Sequence, residues 1–210
     1  MAGLRERQKA DRFHRILAAA SARFRNIGFD TARIEDIAAD AGVSAGTVYN
    51  YFGNKGDVLV AIVSLEVEEI LAEGVRLLAD PAPDVGRAVG DLVGLYFDHS
   101  LHYLSKEMWR TAMALSIRSP ETPASRRYTE LDERLTRQVC DLIGSLQARK
   151  LVWTQLDADA VGQMIFNNLN MMFVEFVKRD DQDLEELKLR VARQNAPILK
   201  LISDTDRYSV

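Results

Sequence analysis

A single cysteine, Cys140, stands in 210 residues, which excludes an internal disulfide and fits a reducing compartment. No run of about 18 apolar residues occurs, so no transmembrane helix and no membrane partner are expected. The Arg-rich N-terminus is followed by no apolar stretch, so a secretory leader is not expected either, and the expected location is cytoplasmic. Period-two alternation of apolar and polar residues is missing throughout, so no strand is predicted. A nucleophile elbow, a phosphate-binding glycine loop and zinc-ligand spacing are also missing. No catalytic residue, cofactor or metal is therefore expected.

What is present is a chain 47% hydrophobic and 28% charged, able to bury a real core. Its net charge of −4 is unevenly spread. The first 33 residues carry eight Arg and Lys against three Asp and Glu, a net of +5, which leaves −9 on the remainder. A basic head on an acidic body is the asymmetry expected if only the head touches phosphates, although a solvated helix face has the same composition.

The periodicity is helical from end to end. Phe13, Ile16, Leu17, Ala20 and Phe24 form one apolar stripe on a helix over 10–27, stopped by Gly28. Short helices follow over 33–41, ended by Gly42, and over 45–51, capped by Ser44. Asn54 caps a long helix over 55–79, with Leu59, Val63, Val67, Ile70 and Leu71 inward. Pro81 and Pro83 end it. Further helices are predicted over 84–104, 106–118, 122–149, 157–179 and 183–203. The expected class is all-α, with a three-helix domain over 1–57 and a helical bundle over 58–210.

The segment from Ile34 to Lys55 carries the function. It reads as two short helices around a tight reversal at Gly42, with Val43 in the angle and Ile37, Ala38, Val48 and Phe52 as a small core. Such a unit projects its second helix outward, where it fits a DNA major groove. Ala45 and Gly46 permit close approach. Ser44 and Thr47 offer hydroxyls, and Tyr49, Asn50 and Tyr51 offer polar tips. Lys55 is placed to pair with a phosphate.

The pattern Asp36-Ile37-Ala38, Ala41-Gly42-Val43-Ser44, Gly46-Thr47-Val48-Tyr49-Asn50-Tyr51-Phe52 and Asn54-Lys55 resembles the signature of the tetracycline-repressor (TetR) family of regulators, over about residues 12–60. The resemblance implies a helix-turn-helix domain in which Ala45, Gly46 and Tyr49 face bases, while Thr47, Asn50, Tyr51 and Lys55 face the backbone; Tyr51 covering the first helix is the alternative for that residue. Arg33 stands where members commonly place a capping Ser or Thr, and Asn50 where His is frequent.

The helix over 157–179 has two apolar faces. Val161, Ile165, Leu169, Met172, Phe173 and Phe176 form one; Met164, Met171 and Val174 form the other, with Asn167 between them. A helix apolar on both sides needs two partners. With Val191 and Ile198 of the last helix, the first face is the expected homodimer interface. It would be half of a four-helix bundle shared by two chains, as in the family dimer. Burial of both faces within one monomer is the alternative. Two recognition helices related by a two-fold axis would then meet a palindromic operator in major grooves about 34–36 Å apart.

By the same resemblance, a small-molecule effector would lie among the middle helices. Candidate lining residues are Tyr96, His99, His102, Tyr103, Met108, Trp109, Met113, Tyr128, Phe166, Asn167, Asn170 and Met171, walls suited to a hydrophobic or amphipathic molecule. An ordinary core rich in Met and aromatics is the alternative. Asp98, His99 and His102 suggest a metal only weakly, since two histidines on one helix face do not make a site. The overall expectation is a ligand-released repressor. A DNA-binding activator or architectural protein without an effector, and more remotely a metal-dependent enzyme, are the alternatives.

Overall fold

The computed structural model describes residues 3–203, and among them every regular element is an α-helix. In chain order these are α1 (Leu4–Ile27), α2 (Ile34–Asp40), α3 (Ala45–Tyr51), α4 (Lys55–Ala79), α5 (Val85–His99), α6 (Lys106–Arg118), α7 (Pro123–Ala148), α8 (Ala158–Val177) and α9 (Leu184–Ser203).

The helix starts follow local capping chemistry. Ser44, Asp84, Ser105 and Asp157 each accept a backbone N–H from the first turn of the helix they open. Asn54 and Asp57 cap α4 reciprocally. Asp57 N–H donates to Asn54 Oδ1 at 3.1 Å, and Asn54 N–H donates to Asp57 Oδ2 at 3.2 Å.

Two boundaries differ from the sequence expectation. α1 begins at Leu4 rather than at 10, because its charged first turns carry no apolar period to read. α5 stops at His99 rather than 104. There Ser100 turns its hydroxyl and its N–H back onto the Phe97 carbonyl. His102 and Tyr103 therefore lie off the helix, and the face that Asp98, His99 and His102 were expected to share does not form.

The chain divides into two compact units, and the division runs differently from a cut at 57. One unit comprises residues up to Leu65 together with His102–Thr129; the other comprises Glu66–Leu101 and residues from Glu130 onward. α4 and α7 each contribute to both.

In the first unit, Ile16, Leu17, Ala20, Phe24, Ile37, Ala38, Val48 and Leu59 are buried. Residues 102–129 are bonded into this unit. Ser21 Oγ donates to the Tyr103 carbonyl at 2.6 Å, Arg25 donates to the His102 carbonyl at 3.0 Å, and Phe29 N–H donates to Glu107 at 3.2 Å.

In the second unit, α9 packs on α5 and on α8, with Asn168 donating to Asn195 at 2.9 Å. α7 and α8 approach closely at Gly162, where an added Cβ would sit 2.5 Å from Cys140 Cα. Gln138 of α7 joins three helices: its amide donates to the Leu71 carbonyl of α4 at 2.9 Å and accepts from the Tyr96 hydroxyl of α5 at 2.9 Å.

Candidate nucleic-acid interface

The reversal between α2 and α3 is built from backbone bonds. Ala41 N–H donates to Ile37, Gly42 N–H to Ala39 and Val43 N–H to Ala38, at 2.9, 3.1 and 2.9 Å. Gly42 takes φ +65°, a left-handed conformation open to glycine at little cost. α1 fixes the turn from behind: the Arg15 guanidinium donates to the Ala41 carbonyl at 2.9 Å. Arg23 clasps Asp40 with two bonds of 2.5 and 3.0 Å, and that pairing holds the Asp40 carboxyl below its usual range.

Val48 is fully buried and anchors α3 from its inner face. On the outer face Gly46, Tyr49 and Asn50 are exposed, and Tyr49 keeps 51% of its surface free. An aromatic ring with a polar tip, half of it in solvent on a seven-residue helix, is a group able to make contacts outside the chain. Ala45 and Thr47 are half-buried beside them. Ser44 Oγ accepts from Thr47 N–H at 3.1 Å and lies 2.9 Å from the Thr47 hydroxyl, so both hydroxyls stand at the exposed N-terminus of α3.

Two expected contacts are placed differently, and a third, Arg33, stays exposed. Tyr51 lies against α1, with its hydroxyl donating to the Lys9 carbonyl at 3.1 Å and its ring against Phe13 and Phe52. Lys55 is turned inward. Its ammonium donates to the Asp30 and Ala32 carbonyls at 2.9 and 3.0 Å and sits 4.6 Å from the Phe29 ring centroid. Arg33 is exposed at the start of α2 and makes no side-chain cap; its nearest acid is Glu35 at 3.7 Å. Sequence reasoning missed Arg15 as the brace of the turn, because a charged residue on an amphipathic helix carries no sign of a long-range bond.

The residues expected to line an effector pocket divide between the units. His102 and Tyr103, in edge-on contact at 4.5 Å, lie in the first, with Met108, Trp109 and Tyr128 buried and Met113 half-buried. Tyr96, His99, Phe166, Asn167, Asn170 and Met171 lie in the second. Burial pushes the Tyr96 phenol up. His99 is held between carboxylates, 2.8 Å from the fully buried Glu66 and 3.5 Å from Glu69. Phe166 is buried, Asn170 half-buried, and Asn167 and Met171 exposed.

A groove of about 520 Å³ that the sequence did not announce runs between α5 and α9, lined by Val93, Gly94, Leu189, Ala192 and Leu199. Its signal was the spacing of Gly86, Gly90 and Gly94 on α5.

The residues of the expected dimer face lie inside the single chain. Val161, Ile165, Leu169, Met172, Phe173, Phe176 and Val191 are buried within the single chain, and Ile198 is half-buried. Phe173 stacks on Phe97 at 6.1 Å. The larger apolar stripe of α8 fills the chain's own core first. The other face is left open, with Met164 and Met171 each 60% exposed. No group of three metal-ligating side chains occurs among the described residues, and no described helix is long and apolar enough to cross a membrane.

The family model described as bacterial regulatory proteins, tetR family, matches residues 16–62. The HTH-type transcriptional regulator BetI of Stenotrophomonas maltophilia (strain R551-3) is 31% identical over 115 residues, which are 54% of this chain and 58% of that regulator. The chain thus spans little more than half the length of that relative. Among solved structures, the fatty acid degradation regulator FadR from Bacillus halodurans has a TM-score of 0.67 at 24% identity, covering 87% of this chain and 93% of that one. Thermus thermophilus FadR, a TetR-family transcriptional repressor in complex with lauroyl-CoA, has a TM-score of 0.64 at 21% identity and covers 90% of this chain and 93% of that one. At these identities the two structures show the shared fold.

Proposed function

We propose that this chain, whose residues 16–62 match the model for bacterial regulatory proteins of the tetR family, is a member of that family and a sequence-specific DNA-binding transcriptional regulator: a cytoplasmic repressor released from a palindromic operator by a small hydrophobic or amphipathic molecule. The observation that carries the reading is the outer face of α3, where Tyr49, Gly46 and Asn50 stand exposed on a helix whose inner face is locked by Val48. Ala45, Gly46 and Tyr49 read base edges. Ser44, Thr47, Asn50 and Arg33 meet the sugar–phosphate backbone. Tyr51 and Lys55 brace the domain from within instead.

Two copies pair through the open face of α8, around Met164 and Met171, and a palindromic operator takes one α3 helix from each copy. The effector is an apolar-tailed molecule, a reading supported by the acyl ligand that the Thermus neighbour holds. Its differential affinity for two states of the dimer need supply only about 1–3 kcal/mol of coupling to break the fit to the operator. The test is duplex binding by the full chain to a site selected from a random pool. Tyr49→Ala is expected to erase most of the preference for that site over unrelated DNA while keeping nonspecific affinity. A preference left intact would remove α3 from base reading.

A further inference from the structure

The cations of α1 fall into two groups. Those from Arg15 onward are engaged: Arg15 pairs with Asp11 at 3.2 Å and braces Ala41, Arg23 pairs with Asp40, and Arg25 bonds the His102 carbonyl. Those in its first three turns are not. Arg5, Arg7 and Lys9 have no side-chain hydrogen bond or ion pair among the described residues, and Arg12 bonds only the Gln8 carbonyl of its own helix. Arg5, Arg7 and Lys9 are exposed, and Arg12 is half-buried.

Their placement is unfavourable for the chain by itself. The N-terminal turns of a helix carry the positive end of its dipole, which disfavours cations. Glu6 is the sole acid in the first turn, and the Gly3 cap supplies no side chain. Arg5 and Arg7 stand in that first turn and Lys9 in the next; without acidic partners they raise the local positive potential, and an anion arriving from outside would relieve it.

The same turns stand beside the reading helix. Tyr51 at the end of α3 bonds the Lys9 carbonyl, and Phe13, one turn on, packs against Tyr51 and Phe52 at 6.1 and 5.6 Å. Arg5, Lys9 and Arg12 follow one another at spacings of four and three along one side of α1, a span of about 10 Å. A duplex presents on the order of six phosphate charges over that length.

We infer that the first three turns of α1 form a second DNA contact, in which Arg5, Lys9 and Arg12 hold backbone phosphates flanking the base pairs that α3 reads. This rests on the DNA-binding reading of α3. It extends the footprint to residues that precede the stretch 16–62 matched by the family model. The contact is blind to sequence, because a point charge on a flexible stem meets phosphates alike at every step.

The test compares the full chain with Arg5→Gln/Lys9→Gln/Arg12→Gln on two probes, a duplex selected from a random pool by the unaltered protein and an unrelated duplex of equal length, over a salt series. The triple variant is expected to bind both probes more weakly by the same factor. The slope of log affinity against log salt should fall by about two to three units, with the preference between probes kept. Arg5→Lys/Arg12→Lys retains the charges and should retain the slope, which separates lost charge from lost folding. Trimming the selected duplex at its flanks should weaken the unaltered protein and leave the triple variant's affinity unchanged. An unchanged slope in a folded triple variant, with the Tyr49→Ala effect intact, overturns the flank contact alone. Failure of the unaltered protein to bind any duplex overturns the reading of α3 and the flank contact together.

Discussion

The Arg15 guanidinium donates to the Ala41 carbonyl at 2.9 Å, so a side chain of α1 closes the backbone at the point where α2 reverses into α3. The next residue, Gly42, is in the left-handed region, and an added Cβ would lie 3.3 Å from the same Arg15 nitrogen. Gly42→Ala is therefore strained twice, by its φ and by the brace. It should lower the stability of the chain by about 1–2 kcal/mol in urea unfolding and weaken DNA binding. Gly42→Asn, whose side chain tolerates positive φ better, should lose less. Equal stability for all three proteins would mean that the turn relaxes freely.

Lys55 offers a contrast between two roles that a sequence pattern cannot separate. With its ammonium on the Asp30 and Ala32 carbonyls, Lys55→Met should cost about 1–2 kcal/mol of stability. The salt slope of DNA binding should change by less than about half a unit, against about 0.9 for a lost phosphate contact. A full-unit change with unaltered stability would return Lys55 to the DNA.

Asp132 on α7 is half-buried, and desolvation pushes its carboxyl from 3.8 up to about 6. A folded-state value above the unfolded one means that the native chain holds the proton more tightly. The stabilisation is complete below the unfolded value and lost as pH rises through about 6. Asp132→Asn should therefore be more stable than the unaltered chain at pH 7.5, by about 3 kcal/mol at most. The advantage should shrink toward zero near pH 4. An advantage independent of pH would show that the carboxylate is not the cause.

Two substitutions on α8 separate its faces. Met164→Glu/Met171→Glu should give folded monomers by light scattering with poor operator binding, because both side chains are exposed in the single chain. Phe173→Glu should unfold the chain, since Phe173 is buried against Phe97. A folded monomer from Phe173→Glu, with an intact dimer from the Met pair, would restore the opposite assignment.

The parts of the molecule legible in the sequence are those governed by neighbours in the chain. The Gly42 reversal, the Ser44 and Asn54 caps and the exposed α3 follow from residues within one or two turns of each other. What escaped depended on distant partners. Tyr51 and Lys55 carry groups that suit a phosphate equally well, and only the folded chain shows Lys9, Asp30 and Ala32 reaching them first. The two faces of α8 were visible, but not which one the chain keeps for itself: that is decided by total apolar area, and the stripe from Val161 to Phe176 has the larger share. The early end of α5 is the exception, a local event hidden inside a continuous apolar pattern: Ser100 makes two bonds to one carbonyl three residues back.

Residues 102–129 belong with the helix-turn-helix unit, although they follow it in the chain only after α5. During synthesis the ribosome thus releases α1 to α3 before the segment that supplies Glu107 to Phe29 has been made. The nascent head must wait, incomplete, for a strip of protein delivered late. A fragment truncated at the end of α4 to make a minimal DNA reader would be missing that strip for good.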